Sequence, residues 1–159
     1  MSILSDKSII ELVKNNQITI DPFNDGNLTP NGYDLTIEEI EIPDKQKTST
    51  KKLTIPPGER FAVSTKEIIS CGENHCAQLW LRTSWARKGI ICSFGKIDSG
   101  FKGNLTLLGF NASKTNVDIE IGSTFAQIVF ERLSTTANEL YEERSGNYQN
   151  QKGITWSKE

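Results

Sequence analysis

Apolar positions along this chain change their period once. In "SDKSIIELV" Ile9, Leu12 and Val13 share one helical face, Ser5 and Asp6 offer an N-cap, and Ser8 and Glu11 stand three apart. Asn15-Asn16 ends that helix. Everything after it reads as strand: "QITI" (17–20), "YDLTIEEIEI" (33–42), "KLTI" (52–55), "RFAVS" (60–64) and "CAQLWLR" (76–82). The series continues with "GIICSF" (89–94), "NLTLLGFN" (104–111), "VDIEI" (117–121) and "FAQIVFERL" (125–133). Alternation in "DLTIEEIEI" and "VDIEI" predicts one wet face, with Tyr33 and Leu35 turned inward. The runs "GIICSF" and "LTLLGF" are apolar almost throughout and are expected at the centre of a sheet.

Turn chemistry separates these runs at Pro30-Asn31-Gly32, Pro56-Pro57-Gly58, Cys71-Gly72, Ser99-Gly100 and Gly122-Ser123. Asn31-Gly32 predicts a type I′ turn, and Ser99-Gly100 predicts the tip of a β-hairpin with Asp98 at its mouth. Many short strands so spaced indicate a sandwich, jelly roll or barrel. The polar, basic stretch "PDKQKTSTKK" (43–52) reads as a mobile surface loop, and no internal repeat or second domain is visible.

Composition narrows the class. At 159 residues, 36% hydrophobic and 24% charged, the chain is long enough to bury a core and is unlike a disordered segment. A net charge of −2 argues against a broad phosphate-backbone surface, so no nucleic-acid partner is expected. No run of eighteen apolar residues occurs, so no membrane span is expected either. Cys71, Cys76 and Cys92 are an odd number without a secretory leader before them, which predicts a soluble cytoplasmic protein with reduced thiols. His75 is the only histidine, so Cys71, His75 and Cys76 do not make a four-ligand zinc site.

Four stretches could carry chemistry. In "TPNGYDL" Asp34 is either an outward strand-start residue or an anionic ligand for hydrated Mg²⁺. In "LRTSWARKG" Arg82, Arg87 and Lys88 with Thr83 and Ser84 suit a polyphosphate, whose oxygens accept from guanidinium forks and hydroxyls. In "GKIDSGFKGNLTLLGFN" Asp98 is either a turn former or a catalytic carboxylate. The polar tail, residues 145–159, carries "GNYQNQKG" and reads either as a frayed end or as an arm ordered by a ligand.

Taken in order, "ILSDKSIIELV…ITIDPFNDGNLTPNGYDL", "RTSWARKGI", "KIDSGFKGNLTL.GFN", "G..FAQIVFERL" and "GNYQNQKGIT" resemble the successive motifs of the dUTPase and dCTP deaminase superfamily, from Ile3 to about Ser157. The resemblance implies a mostly β fold, a distorted jelly roll or β-barrel with a short N-terminal helix, forming a homotrimer with inter-subunit active sites. It implies a β-domain over residues 1–144 and a flexible arm over 145–159 that closes on the site. Asp98 matches the aspartate that activates the attacking water. Arg82, Thr83 and Ser84 match the phosphate-binding element, with Arg87 beside it, and Gln127 matches a residue near the phosphates. Asp34 matches an aspartate close to the metal-bound triphosphate, acting through water, and Mg²⁺ is the implied cofactor. Gly95 and Ile97 frame the base, Phe101 lies under the deoxyribose, and Tyr141, Tyr148 and Gln151 fall where deaminases contact nucleotide.

One position departs from the deaminase pattern. Deaminases read like "GNITLELFN" after the turn, and their glutamate moves protons at cytosine C4. Here the strand is "GNLTLLGFN", which sets Leu108 on that position. The resemblance therefore implies hydrolysis of dUTP to dUMP and pyrophosphate. Its alternatives are a dCTP deaminase or bifunctional enzyme, with the acid–base group supplied by Glu120 or another subunit, and a nucleotide-binding regulatory trimer.

Overall fold

The computed structural model describes residues 2–43, the backbone of 47–49, and residues 51–157. Strand β1 (Ser2–Ile3) leads into helix α1 (Asp6–Lys14), and β2 (Ile18–Asp21), β3 (Leu28–Thr29) and β4 (Gly32–Ile42) follow. Ser5 caps α1 by accepting from the Ser8 amide at 3.3 Å, and fully buried Ile9 anchors its apolar face. The helix stops where Asn16 takes φ 55°. Next come β5 (Lys47–Ser49), β6 (Lys52–Ile55), β7 (Arg60–Thr65), β8 (Ile68–Cys71) and β9 (His75–Leu81), then the short helix α2 (Thr83–Arg87). The chain continues through β10 (Ile90–Cys92), β11 (Lys96–Ile97), β12 (Lys102–Gly103), β13 (Thr106–Asn111), β14 (Val117–Glu120) and β15 (Thr124–Arg132) to helix α3 (Tyr141–Arg144).

The fold is mostly β. A ten-stranded sheet curls into a half-barrel in the order β10-β13-β7-β4-β15-β9-β11, with β1, β3 and β5 attached at its margins. Two smaller sheets, β12-β8-β2 and β14-β6, complete the wall. Every pairing among the described residues is antiparallel. The core is aliphatic with an aromatic centre: Phe125 meets Phe61 edge-on at 5.9 Å and Trp85 in a tilted contact at 5.9 Å. In β4 the inward residues step by two from Leu35 to Ile37, then by three to Ile40. A register shift between Ile37 and Glu39 absorbs the extra residue, so both isoleucines stay buried.

Four expectations need correction. The β3–β4 loop is Pro30-Asn31, with Thr29 paired to Gly32, and neither Asn31 nor Gly32 has positive φ, so the turn is not type I′. Proline fixes its own φ near −65°, which that turn type forbids. Residues 96–103 do not form a hairpin ladder: β11 pairs with β9, whereas β12 pairs with β8. Asp98 thus stands where the chain crosses from the large sheet to a small one. Strand β10 lies at a sheet edge rather than the centre, and Ile91, Leu108 and Phe110 remain exposed on it and on β13. The stretch 43–52 contains β5 paired with β4, and residues 44–46 and 50, also expected to be mobile loop, lie outside the described residues.

Candidate active site

A cavity of about 350 Å³ opens beside the Asp98 turn. The turn itself is tightly held. Phe101 N–H donates to the Asp98 carbonyl at 3.1 Å, Gly100 N–H to the Cys71 carbonyl at 2.8 Å, and Ser99 Oγ to the Gly72 carbonyl at 2.9 Å. These bonds leave the Asp98 side chain exposed at the cavity mouth while its backbone is fixed to the β8–β9 loop. Phe101 is buried beneath it and meets Tyr141 edge-on at 5.5 Å. Tyr141 N–H donates to the Ser99 carbonyl at 2.9 Å, and Tyr141 Oη accepts from Tyr148 N–H at 3.1 Å. Seven residues expected from sequence, Gly95, Ile97, Asp98, Phe101, Tyr141, Tyr148 and Gln151, therefore line one cavity.

The opposite wall is β13. Leu107 and Leu108 line it together with Thr106, and Leu108 is 49% exposed toward the opening. Gly109 faces Phe61 across the β13–β7 ladder, and any Cβ there would collide with the Phe61 ring. The glycine in "LLGF" is thus explained by core packing, and the leucine before it by the cavity. Among the described residues Asp98 is the only carboxylate in the lining.

Residues 145–157 supply Tyr148, Gln151, Thr155, Trp156 and Ser157 to the lining. They run beside residues 100–106 in the same direction, bonded at successive points. Gln149 accepts from Lys102 N–H at 2.9 Å and donates to the Gly100 carbonyl at 3.0 Å. Asn150 N–H donates to the Lys102 carbonyl at 2.7 Å. Gln151 brackets Asn104, its carbonyl accepting from the Asn104 amide at 3.1 Å and its side-chain amide donating to the Asn104 carbonyl at 2.5 Å. Gly103 makes this approach possible: a Cβ there would stand 3.0 Å from the Gln151 nitrogen.

The phosphate-type residues form a second cluster. Arg82 precedes α2, which Trp85 anchors by donating Nε1–H to the Thr124 carbonyl at 2.8 Å. Arg82 pairs with Asp34 at 2.9 Å and donates to Thr124 Oγ1. Gln127 faces Asp34 across the β15–β4 ladder and donates to Thr29 Oγ1 at 3.1 Å. Burial pushes the Asp34 carboxyl above the usual carboxylate range, against the pull of Arg82 and Gln127. Thr83 and Ser84 are exposed on the first turn of α2, and Arg87 lines a separate cleft with Ser113 and Thr115. None of Asp34, Arg82, Thr83, Ser84, Arg87 or Gln127 lines the Asp98 cavity.

The donor set does not build a resident Mg²⁺ cage. Among the described residues no three His, Cys, Asp or Glu side chains gather, and Asp34 is already neutralised by Arg82. Asp34 Oδ1, buried without a hydrogen-bond partner among those residues, suits a single water donor.

Sequence reasoning did not single out Thr106, Lys96 or Thr155, which also line the cavity. Thr106 was accessible in principle, because period-two counting back from Leu108 puts both on one face. The burial of Cys71 and Cys92 raises both thiols, Cys92 to about 12, which fits unreactive thiols.

Comparison with known proteins fits this geometry. Residues 3–133 match the family model described as dCTP deaminase-like. A dCTP deaminase of Pyrococcus horikoshii is 38% identical over 89% of this chain and 91% of its own length. A probable deoxyuridine 5′-triphosphate nucleotidohydrolase of Sulfolobus islandicus rod-shaped virus 1 is 32% identical over 99% of both chains. Among solved structures, the 2′-deoxycytidine 5′-triphosphate deaminase of Agrobacterium tumefaciens superposes with a TM-score of 0.70 at 19% identity over 83% of this chain, which spans 49% of that structure. The EIAV dUTPase superposes with a TM-score of 0.55 at 20% identity, over 80% of this chain and 93% of that one.

Proposed function

The chain belongs to the dCTP deaminase-like family, and from that premise we propose that it is a dUTP diphosphatase, splitting dUTP into dUMP and pyrophosphate. One observation carries this reading: Asp98 is the only carboxylate among the described residues of the cavity, and its facing wall presents Leu108, which by the motif resemblance takes the position of the deaminase glutamate. Deamination must take a proton from water and deliver one to a leaving amine, and losing a positioned acid–base group costs roughly 10²–10⁴-fold. Hydrolysis at phosphorus needs one base and a stabilised leaving group.

In this mechanism the base enters the cavity above Phe101, whose buried ring leaves a ribose 2′-hydroxyl without a partner, at a cost of roughly 1–3 kcal/mol. Asp98 accepts a proton from a water as that water's oxygen bonds to the α-phosphorus. The bond from the α-phosphorus to the bridging oxygen breaks, and pyrophosphate departs. Mg²⁺ carried by the triphosphate would supply charge neutralisation for the departing pyrophosphate. Arg82, Thr83 and Ser84 offer donors for the phosphate oxygens, Arg87 adds a cation at the far end of α2, and Asp34 Oδ1 would accept from a water of the metal's shell. Because that cluster lies outside the cavity of its own chain, we assign it to a neighbouring subunit's site in a homotrimer.

The relatives that carry the name dCTP deaminase favour a second reading, deamination of dCTP with or without subsequent hydrolysis. Glu120 does not supply the missing group within one chain, since it faces Lys52 in the β14–β6 sheet. Product analysis with dUTP, dCTP and dTTP plus Mg²⁺, for the wild type and Asp98→Asn, decides between them. The expected result is dUMP and pyrophosphate from dUTP alone, lost in Asp98→Asn. Ammonia and dUTP from dCTP would establish the second reading, and tight dUTP binding without turnover would indicate a regulatory trimer.

A further inference from the structure

The arm is tied down by contacts that no nucleotide supplies. Trp156 reaches past the cavity to β4, where its Nε1–H donates to Glu41 Oε1 at 3.1 Å, and the Arg60 guanidinium lies 5.9 Å from its ring centroid. Glu41 faces Ala62 across the β4–β7 ladder, and neither Glu41 nor Arg60 lines the cavity. Thr106 supplies the second tie. Its hydroxyl accepts from Thr155 N–H at 2.9 Å and donates to the Gly153 carbonyl at 3.4 Å, replacing a strand partner for the arm's backbone. We propose that the chain latches its own arm over the cavity before nucleotide binds, with Trp156, Glu41 and Thr106 as the positioning residues of that latch.

This deepens the reading of the cavity as a nucleotide site and makes a kinetic statement about it. A latch present with and without ligand cancels from the equilibrium constant while the free arm is mostly closed. It slows both entry and exit, because each requires opening. An arm ordered only by nucleotide behaves differently: weakening it lowers affinity directly.

Limited trypsin digestion of the nucleotide-free, full-length protein, followed by mass spectrometry of cleavage after Lys152, tests the latch without any assumption about function. Trp156→Ala and Thr106→Val are each expected to speed that cleavage about fivefold or more, the worth of one hydrogen bond, while Thr106→Ser keeps the wild-type rate. The melting temperature of each variant controls for general unfolding. A second measurement uses stopped-flow binding of Mg²⁺ with the α,β-imido analogue of dUTP. Glu41→Ala, which removes the acceptor of the Trp156 indole and lies outside the cavity lining, should raise association and dissociation rates together and leave Kd within about twofold. Equal cleavage rates in wild type, Trp156→Ala and Thr106→Val would overturn the latch, whatever the nucleotide result. Faster cleavage without analogue binding would keep the latch and refute the nucleotide site.

Discussion

Gln151 and Asn104 hold each other by their main chains and one side chain, the Asn104 amide donating to the Gln151 carbonyl and the Gln151 side-chain amide to the Asn104 carbonyl. The Asn104 side chain in turn donates to the carbonyls of Thr65 and Glu67, at 2.9 and 3.2 Å. One asparagine therefore joins the β7–β8 turn, the strand leaving Asp98 and the arm.

Gly103→Ala tests this junction. Its Cβ would crowd the Gln151 backbone at 3.0–3.2 Å, and φ of 156° is costly for alanine. On the proposed dUTP reading, a raised KM for dUTP with a melting temperature lowered by no more than a few degrees is the expected outcome in steady-state assays and thermal unfolding.

Gly109→Ala should act on the core instead. The added methyl meets the fully buried Phe61 ring, and overpacking of this kind costs about 1–3 kcal/mol. Calorimetry should show a fall of roughly 3–10 °C in melting temperature. Phe61→Leu in the same chain should recover part of it.

Removing Arg82 leaves the largely buried Asp34 carboxylate without its ion-pair partner. Arg82→Ala should cost about 1–2 kcal/mol, modest because the pair is only partly buried. Arg82→Ala with Asp34→Asn should cost less than the sum of the two single changes, measured as a double-mutant cycle by urea unfolding.

Glu67 gives a pH dependence of definite sign. Burial raises its carboxyl above the usual 4.5, opposed by the Thr36 amide that donates to Oε2 at 2.9 Å. A raised folded pKa contributes stability below the unfolded pKa and loses it as pH rises through the folded value. Unfolding free energy should therefore decline from about pH 4.5 toward neutrality. Glu67→Gln should remove most of that decline and leave the share due to Asp34, whose carboxyl is shifted the same way. Urea titrations at four or five pH values measure it.

The legible parts of this fold were those with enough residues to show a period. Helix α1, with Ser5 as its cap, and the long strands β4 and β15 fall close to where Ile9, Leu35 and Phe125 placed them. Strands β11 and β12 have two residues each, too few for any period, and their partners lie far off in sequence. Nothing local to Asp98 said that its flanks belong to different sheets. Six candidates join Asp98 in one cavity because motif order reports position on the surface of a shared fold. The contact between Trp156 and Glu41 spans 115 residues and leaves no trace in either neighbourhood. Thr106 was hidden differently, since a threonine in a strand is ordinary until the arm is laid beside it.

Asp98 is bolted to two sheets that do not pair with each other, β11 on one side and β12 on the other. Its position is therefore the difference of two placements and inherits the error of both. On the proposed reading of Asp98 as the catalytic base, misplacement by 1 Å would cost about a hundredfold in rate, while the strands on either side can stay folded through such a shift. On heating, turnover should fade while far-ultraviolet ellipticity is still flat, making the enzyme a gauge of the seam between its sheets.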